Sequence, residues 1–166
     1  NLEAKYIRRL LQDFSGRKEL RIAWDPGNGS SGEIVTELIK SLPGEHFLIN
    51  EKIDGNFPAH HPDPTIESNL VQLKNLVIKN SCDLGIGFDG DGDRIGLIDS
   101  NGRVLWGDQI LILLARDVLK NNPGETIIAD VKASKVFFDE ISKAGGKPVM
   151  WAAGHSLIKS KMLELN

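Results

Sequence analysis

Two short apolar runs, residues 83–88 and 94–99, stand almost back to back in this sequence. Only five residues separate them, and three of these five are aspartates. Parallel strands need a crossover connection of a dozen or more residues, so this linker is too short to join the runs in parallel. The two runs must therefore form an antiparallel pair, or one strand that bends around a loop.

Along the rest of the chain, apolar runs typical of strands alternate with segments of helical periodicity. Strands are predicted over residues 20–24, 46–50, 126–130 and 147–151, and helices over 2–14, 32–41, 65–79, 107–120, 134–144 and 155–164. This order predicts an α/β fold with two small mixed-sheet units. A turn at Asn101-Gly102 places the division near residue 103, giving a first unit over 1–103 and a truncated, two-stranded second unit over 104–166.

Composition excludes several classes of protein. No apolar run approaches the roughly 20 residues that span a bilayer, so no membrane partner is expected. A net charge of -3 with scattered basic residues offers no patch for nucleic acid. The single cysteine, Cys82, cannot form an internal disulfide, which favours a cytoplasmic protein. Helical periodicity from the first residues suggests a piece of a larger protein.

The strongest chemical signal is the linker itself, Asp89-Gly-Asp-Gly-Asp-Arg94. Three carboxylates within five residues repel one another unless a cation is present, and the interleaved glycines allow a tight backbone that turns them inward. Oxygen ligands of this kind suit Mg²⁺. Asp89, Asp91 and Asp93 are therefore the candidate metal ligands, with Arg94 beside them as a fork for phosphate oxygens.

Two other metal loops fit the spacing less well. An EF-hand that began at Asp89 would need glycine at its sixth position and glutamate at its twelfth, where this chain has Arg94 and Ser100. A haloacid-dehalogenase-like loop would want Thr or Val where Asp93 stands and an earlier strand.

A second glycine-rich segment supports an alternative function. Gly27, Gly29 and Gly32 match the dinucleotide-binding pattern between a strand and a helix, and Glu51 follows about 20 residues later. A glycine-rich helix N-terminus also binds other anions or simply makes a tight turn. A dinucleotide-binding module that uses Gly27–Gly32 and Glu51 is the alternative hypothesis.

Further candidates follow the strands of both units. His60 and His61 lie in a proline-rich connection, where adjacent side chains point apart, so packing is the favoured role for them. Lys132 follows the strand at 126–130, and Gly154, His155 and Ser156 follow the strand at 147–151. Open α/β sheets bind ligands at the carboxyl ends of strands, so these four are candidates for contacts with an anion or a sugar.

Four motifs together resemble those of the α-D-phosphohexomutases, in particular the bacterial phosphomannomutase/phosphoglucomutase branch. They are Asp25-Pro-Gly-Asn-Gly29, His60-His-Pro-Asp-Pro64, Asp89-Gly-Asp-Gly-Asp-Arg94 and Gly154-His-Ser-Leu-Ile-Lys159. The motif order is kept and the similarity covers essentially the whole chain. The resemblance implies the second domain and part of the third of a four-domain enzyme.

The resemblance also implies roles for residues. Asp89, Asp91 and Asp93 would ligate Mg²⁺ together with a phosphoserine, and catalytic roles fall to Arg94 and Lys132. Lys132, Gly154, His155 and Ser156 would bind the phosphosugar. The implied reaction interconverts hexose 1-phosphate and 6-phosphate, of mannose or glucose, through a bisphosphorylated sugar.

The chain departs from the family pattern in two respects. It contains neither the Ser-His-Asn-Pro loop that would carry the phosphoserine nor the downstream Gly-Glu-x-Ser-Gly-His loop, so this segment is expected to be inactive without the remaining domains of its parent. It also has Ala152-Ala153 where the branch often has Lys-Thr, which leaves the preferred hexose open.

Overall fold

The computed structural model describes residues 2–165 of the chain. The chain divides into two compact units, Asn1–Leu105 and Trp106–Asn166. This division lies two residues after the predicted one, because Val104 and Leu105 still pair with a strand of the first unit. None of the helices between residues 2 and 165 combines the length and the apolar character that a membrane crossing requires.

Within residues 2–105, the first unit contains five strands and three α-helices. The strands are β1 (Leu20–Asp25), β2 (Gly44–Leu48), β3 (Leu84–Phe88), β4 (Ile95–Asp99) and β5 (Val104–Leu105), and the helices are α1 (Leu2–Gln12), α2 (Gly32–Leu38) and α3 (Val71–Lys79). The sheet order is β2-β1-β3-β4-β5. β2, β1 and β3 run parallel, whereas β3, β4 and β5 are antiparallel. Of the two alternatives left by the short linker, the structure has the antiparallel pair rather than one bent strand, and the sheet is mixed.

The core of the first unit lies where α3 packs against β1, β3 and β4. Its buried side chains are Ala23, Leu70, Leu73, Val77, Cys82 and Ile98. Glycines in β3 and β4 permit the close approach of neighbouring segments. A Cβ built on Gly85 would lie 2.6 Å from Val77 Cγ2, and one built on Gly96 would lie 2.9 Å from Pro64 Cβ. The segment around Pro64 therefore packs directly against β4.

Several element boundaries differ from the sequence prediction: α1 ends at Gln12 rather than at residue 14, and α2 ends at Leu38, followed by a 3-10 turn over Ile39–Ser41. β2 begins at Gly44 rather than at residue 46, because its parallel ladder with β1 starts at the pair Leu20 and Gly44. It ends before Asn50, whose left-handed backbone (φ 53°) interrupts the strand. The helix predicted from residue 65 begins instead with a 3-10 turn over Glu67–Leu70 that leads into α3.

The described part of the second unit, residues 106–165, contains two parallel strands and three helices. The strands are β6 (Thr126–Asp130) and β7 (Lys147–Trp151), and the helices are α4 (Gly107–Asn121), α5 (Lys135–Lys143) and α6 (His155–Leu165). Its core consists of Ile112, Ala115, Leu119, Ala129, Phe137 and Ile141. All five of these elements were predicted within one residue of their observed ends.

Candidate functional site

The aspartate-rich segment forms the tip of the β3–β4 hairpin. The last strand pair is Phe88 with Ile95, and the Asp89 amide continues the ladder by donating to the Arg94 carbonyl at 3.3 Å. Inside the tip the Gly92 amide donates to the Asp89 carbonyl at 3.1 Å, and Gly92 has a positive φ of 75°. We call Asp89–Arg94 the aspartate loop. Its tight backbone needs glycine at position 92, since other residues rarely adopt this conformation.

The aspartate loop brings its three carboxylates together. One oxygen of each of Asp89, Asp91 and Asp93 lies within 4.8 Å of the others. Asp89 is buried, whereas Asp91 and Asp93 are exposed. The charge of Asp91, assisted by burial and by Asp89, raises the pKa of the Asp93 carboxyl above its usual value. The carboxylates of the loop therefore repel one another, and a bound cation would relieve this repulsion.

Arg94 fixes the buried member of this cluster. Its backbone amide donates to Asp89 Oδ1 at 3.0 Å, and its Nε donates to Asp89 Oδ2 at 2.7 Å. Burial raises the pKa of Asp89, but these hydrogen bonds outweigh it, so the pKa lies below its usual value. Arg94 Nη1 also contacts Asp63 Oδ1 at 3.3 Å. The guanidinium is half-exposed, and its outer edge is accessible to an anion.

The glycine-rich segment after β1 supports the aspartate loop. The Ser30 amide donates to the Gly90 carbonyl at 2.9 Å, and a Cβ built on Gly29 would lie 2.7 Å from that same oxygen. A Cβ on Gly32 would lie 2.0 Å from the Glu51 carbonyl oxygen. Protein backbone therefore fills the space beside Gly29 and Gly32 that a dinucleotide's pyrophosphate would need. This geometry argues against the dinucleotide-binding alternative.

The proline-rich connection contributes residues that the sequence analysis did not assign to the site. His60 is mostly buried and its Nε2 lies 2.9 Å from Asp25 Oδ2, whereas His61 is exposed. Hydrogen bonds from the hydroxyl and amide of Thr65 lower the pKa of Asp63, the partner of Arg94. The only signal for these roles was the unusual density of His, Pro and Asp over residues 60–64, which the structure explains by contact with the loop.

The remaining candidates lie at one edge of the small sheet in the second unit. β6 and β7 run parallel with Asp130 opposite Trp151, so both carboxyl ends meet there. Lys132 follows β6, and its exposed ammonium lies 3.3 Å from Asp130 Oδ2. Gly154 has a φ of 132°, and His155 and Ser156 begin α6 and are exposed. Lys132 and the Gly154–Ser156 segment therefore each follow a strand at the same end of the small sheet.

Comparison with known proteins agrees with this fold and these motifs. The family model for domain II of phosphoglucomutase/phosphomannomutase, an alpha/beta/alpha domain, matches residues 4–102, and the model for domain III matches residues 106–166. The chain belongs to the phosphoglucomutase/phosphomannomutase family. The resemblance deduced from the four motifs is therefore confirmed, as is the predicted α/β architecture.

Relatives in this family extend the match to the whole chain. A phosphomannomutase/phosphoglucomutase of Pseudomonas syringae is 44% identical over 98% of this chain, and a phosphomannomutase of Methanocaldococcus jannaschii is 39% identical over 88%. A crystal structure of a family protein from Burkholderia thailandensis superposes with a TM-score of 0.92 at 38% identity over 99% of the chain. The chain spans about a third of the length of these proteins (32–36%).

Proposed function

We propose that this chain is part of a phosphohexomutase that interconverts hexose 1-phosphate and 6-phosphate, with mannose or glucose as the sugar. Relatives that are 36–44% identical carry the names phosphomannomutase, phosphoglucomutase or both. The proposed reaction passes the phosphoryl group through a phosphoserine and a bisphosphorylated sugar. Because the chain has no Ser-His-Asn-Pro loop, it would be inactive without the rest of its parent.

The clustering of three carboxylates at the β3–β4 tip carries this proposal. Carboxylate oxygens are ligands that Mg²⁺ prefers, and the oxygens of Asp89, Asp91 and Asp93 already lie within 4.8 Å of one another. The raised pKa of Asp93 marks the electrostatic repulsion that a bound cation removes. The residues therefore fit Mg²⁺, which when bound would neutralise negative charge on the transferring phosphoryl group.

Arg94 is proposed to bind the phosphoryl oxygens. Its Nε and backbone amide are committed to Asp89, which fixes the plane of the guanidinium while leaving its outer edge exposed. Phosphoryl transfer depends mainly on positioning and on charge neutralisation, and a pre-oriented arginine supplies both. Asp63, which also contacts Arg94, limits the swing of its side chain.

Lys132, Gly154, His155 and Ser156 are proposed to hold the phosphosugar. They share the carboxyl edge of β6 and β7, where parallel sheets commonly bind ligands. Lys132 offers a positive charge for a phosphate or a proton for a sugar oxygen, and it is the second residue with a proposed catalytic role. His155 and Ser156 offer side-chain hydrogen bonds.

A cytoplasmic location is proposed because the only cysteine of the sequence, Cys82, is free, as is usual in a reducing compartment.

The decisive experiment replaces Asp91 by Asn in the full-length enzyme. Asp91 is exposed, and within residues 2–165 no hydrogen bond joins its carboxylate to the loop backbone, so the variant should melt no lower than the wild type. We expect turnover of glucose 1-phosphate and mannose 1-phosphate to fall by at least two orders of magnitude, as for loss of a metal ligand. Asp117→Asn, at an exposed aspartate on α4, is the matched control. Near-normal turnover of Asp91→Asn would disprove the metal assignment.

The phosphoserine step has its own test. Incubation of the full-length enzyme with a hexose 1,6-bisphosphate should add one phosphate to a serine outside residues 1–166, detected by mass spectrometry of tryptic peptides. Phosphate found only on a residue of this chain, or none at all in an active enzyme, would contradict the proposed route.

A further inference from the structure

We propose that Asp25 and His60 form a buried positioning pair that holds the aspartate loop in its metal-binding shape. The inference rests on the proposed function of that loop, but neither residue belongs to the loop and neither contacts its carboxylates in the described structure. Asp25 ends β1, and His60 lies in the proline-rich connection 35 residues later.

The two side chains meet in an environment that excludes most water. Asp25 is 1% exposed and the His60 side chain is 14% exposed, and His60 Nε2 lies 2.9 Å from Asp25 Oδ2. The other ring nitrogen, Nδ1, lies 3.0 Å from the His61 carbonyl oxygen. A carboxylate only accepts hydrogen bonds, so the tautomer that carries hydrogen on Nε2 donates to Asp25. The carboxylate acceptor makes this a charge-assisted hydrogen bond, the stronger kind.

Asp25 collects further donors on its second oxygen. Oδ1 accepts hydrogen bonds from the Gly27 amide at 2.9 Å and from Asn50 Nδ2 at 3.0 Å. A buried carboxylate is costly unless it is fully hydrogen-bonded, and here His60, Gly27 and Asn50 supply the donors. The carboxylate therefore fixes the turn after β1 and the His60 segment at the same point.

These two segments form the walls that enclose Gly90, the residue between the first two loop aspartates. On one side the Ser30 amide donates to the Gly90 carbonyl at 2.9 Å. On the other side a Cβ built on Gly90 would lie 3.4 Å from Phe57 Cζ and from Pro62 Cγ. Phe57 and Pro62 flank His60 in the sequence. We call these walls, residues 27–30 and 57–62, the Gly90 cradle.

The same connection reaches the other end of the loop. Asp63 directly follows the cradle, and its Oδ1 contacts Arg94 Nη1 at 3.3 Å. A second contact joins the two walls, since the Ala59 amide donates to Asn28 Oδ1, but at 3.3 Å between neutral groups it is the weaker one. Loss of the Asp25–His60 pair should therefore let the cradle open and the aspartate spacing widen.

The test uses the 166-residue chain and two readouts. One is the affinity for Mn²⁺, measured by electron paramagnetic resonance as a probe for the divalent site. The other needs no metal: hydrogen exchange of the Gly92 and Arg94 amides, which both donate to Asp89 within the loop. We expect His60→Ala to weaken Mn²⁺ binding about tenfold, as for loss of an outer-shell residue, and to accelerate both amides.

Three further variants separate positioning from general destabilisation. His60→Gln keeps an N–H donor for Asp25 and should restore most of the affinity. His61→Ala removes the exposed neighbour and keeps the carbonyl that His60 contacts. Val77→Ala weakens the core away from the cradle. Both of the last two should keep Mn²⁺ affinity and loop exchange within about twofold of the wild type.

The outcomes distinguish this inference from the proposed function. If the wild type binds Mn²⁺ and His60→Ala matches it in both affinity and loop exchange, the positioning pair is disproved while the metal site stands. If the wild type binds no Mn²⁺ but His60→Ala accelerates the loop amides more than Val77→Ala does, the pair stands and the metal proposal fails for this chain. If Val77→Ala has the same effects as His60→Ala, the pair has only a general structural role and the inference is wrong.

Discussion

The aspartate loop in the first unit and the strand-end residues in the second differ in how strongly their own units hold them. The Asp89 carboxylate is buried and accepts two hydrogen bonds from Arg94, and its neighbour Gly90 is enclosed by two chain segments. Lys132 is 78% exposed with one contact to a carboxylate two residues away, and His155 is exposed at the start of a helix. A site for a small cation needs fixed distances, so the unit that contains it must supply the rigidity. Contacts to a sugar phosphate tolerate longer, mobile side chains.

The largest expected effect comes from crowding the cradle. Gly29→Ala places a Cβ 2.7 Å from the Gly90 carbonyl oxygen and 3.0 Å from Gly90 Cα, both backbone atoms that cannot rotate away. We expect the free energy of unfolding of the first unit to fall by about 2 kcal/mol, with loss of Mn²⁺ binding. Gly107→Ala, where a Cβ would meet nothing within 4 Å in the described structure, is the control. Urea unfolding checks both, and equal stabilities would refute the cradle as a tight contact.

Removing the buried carboxylate should have a slightly smaller effect on stability. In Asp89→Asn one oxygen still accepts the Arg94 amide, but the new amide group faces Arg94 Nε, so two donors oppose each other. We expect a loss of about 2 kcal/mol or less, measured by chemical denaturation at pH 7. Because the pKa of Asp89 is lowered by folding, its contribution is present above the unfolded pKa and is lost as the pH falls through the folded value. The variant should therefore lose part of the acid sensitivity of the wild type.

Metal binding should depend on pH through Asp93, whose pKa is raised, whereas the pKa of Asp89 is lowered. The pKa of Asp93 is raised, mainly by Asp91, so Asp93 takes up a proton at a higher pH than an isolated aspartate. A metal must displace that proton, and the affinity for Mg²⁺ should therefore begin to fall on acidification before Asp89, whose pKa is lowered, takes up a proton. At ten times its dissociation constant, Mg²⁺ should stabilise the chain by about 1.4 kcal/mol. Calorimetric titration between pH 4 and 7 checks this, and a pH-independent affinity would contradict it.

Replacing Asp93 itself tests the repulsion directly. Asp93→Asn removes one of three clustered charges, so the metal-free chain should melt at a slightly higher temperature than the wild type at pH 7. The same variant should gain much less from added Mg²⁺. A lower melting temperature without metal would show that the loop is not under electrostatic strain.

The smallest effect is expected in the second unit. Lys132→Gln removes an exposed ammonium whose only described contact is Asp130, so the free energy of unfolding should change by less than about 0.5 kcal/mol. In the full-length enzyme the same change should lower kcat/KM for hexose phosphates at least tenfold. Wild-type kinetics would show that Lys132 has no role in substrate binding or catalysis. A variant that unfolds would show that Lys132 contributes as much to stability as the residues of the aspartate loop.

Local patterns in the sequence predicted the elements and the central motif well. The short linker between two apolar runs excluded a parallel pair and left a hairpin or a bent strand, and alternating Asp and Gly in that linker indicated the carboxylate cluster that the structure contains. The Gly27–Gly32 segment could not be interpreted in the same way, because its pattern is compatible with a nucleotide loop as well as with a packing turn. The backbone of Gly90 and of Glu51, which lies against Gly29 and Gly32, decides between these two interpretations. Both residues are distant from the segment in sequence, so the contact could not be predicted. The Asp25–His60 contact was likewise invisible, since it joins residues 35 positions apart without any local periodicity.

The close approaches at the glycines of β3 and β4 bear on which mutations the protein can tolerate. Gly85 and Gly96 have no side chain that could take part in chemistry. A methyl group at Gly85 would nevertheless displace α3, and one at Gly96 would displace the segment around Pro64. A saturation library should thus show two kinds of intolerant position: the aspartates, where the substituted protein folds but does not turn over, and these glycines, where it fails to accumulate. Selection on abundance alone would detect only the second kind, so the two screens together would separate chemistry from architecture.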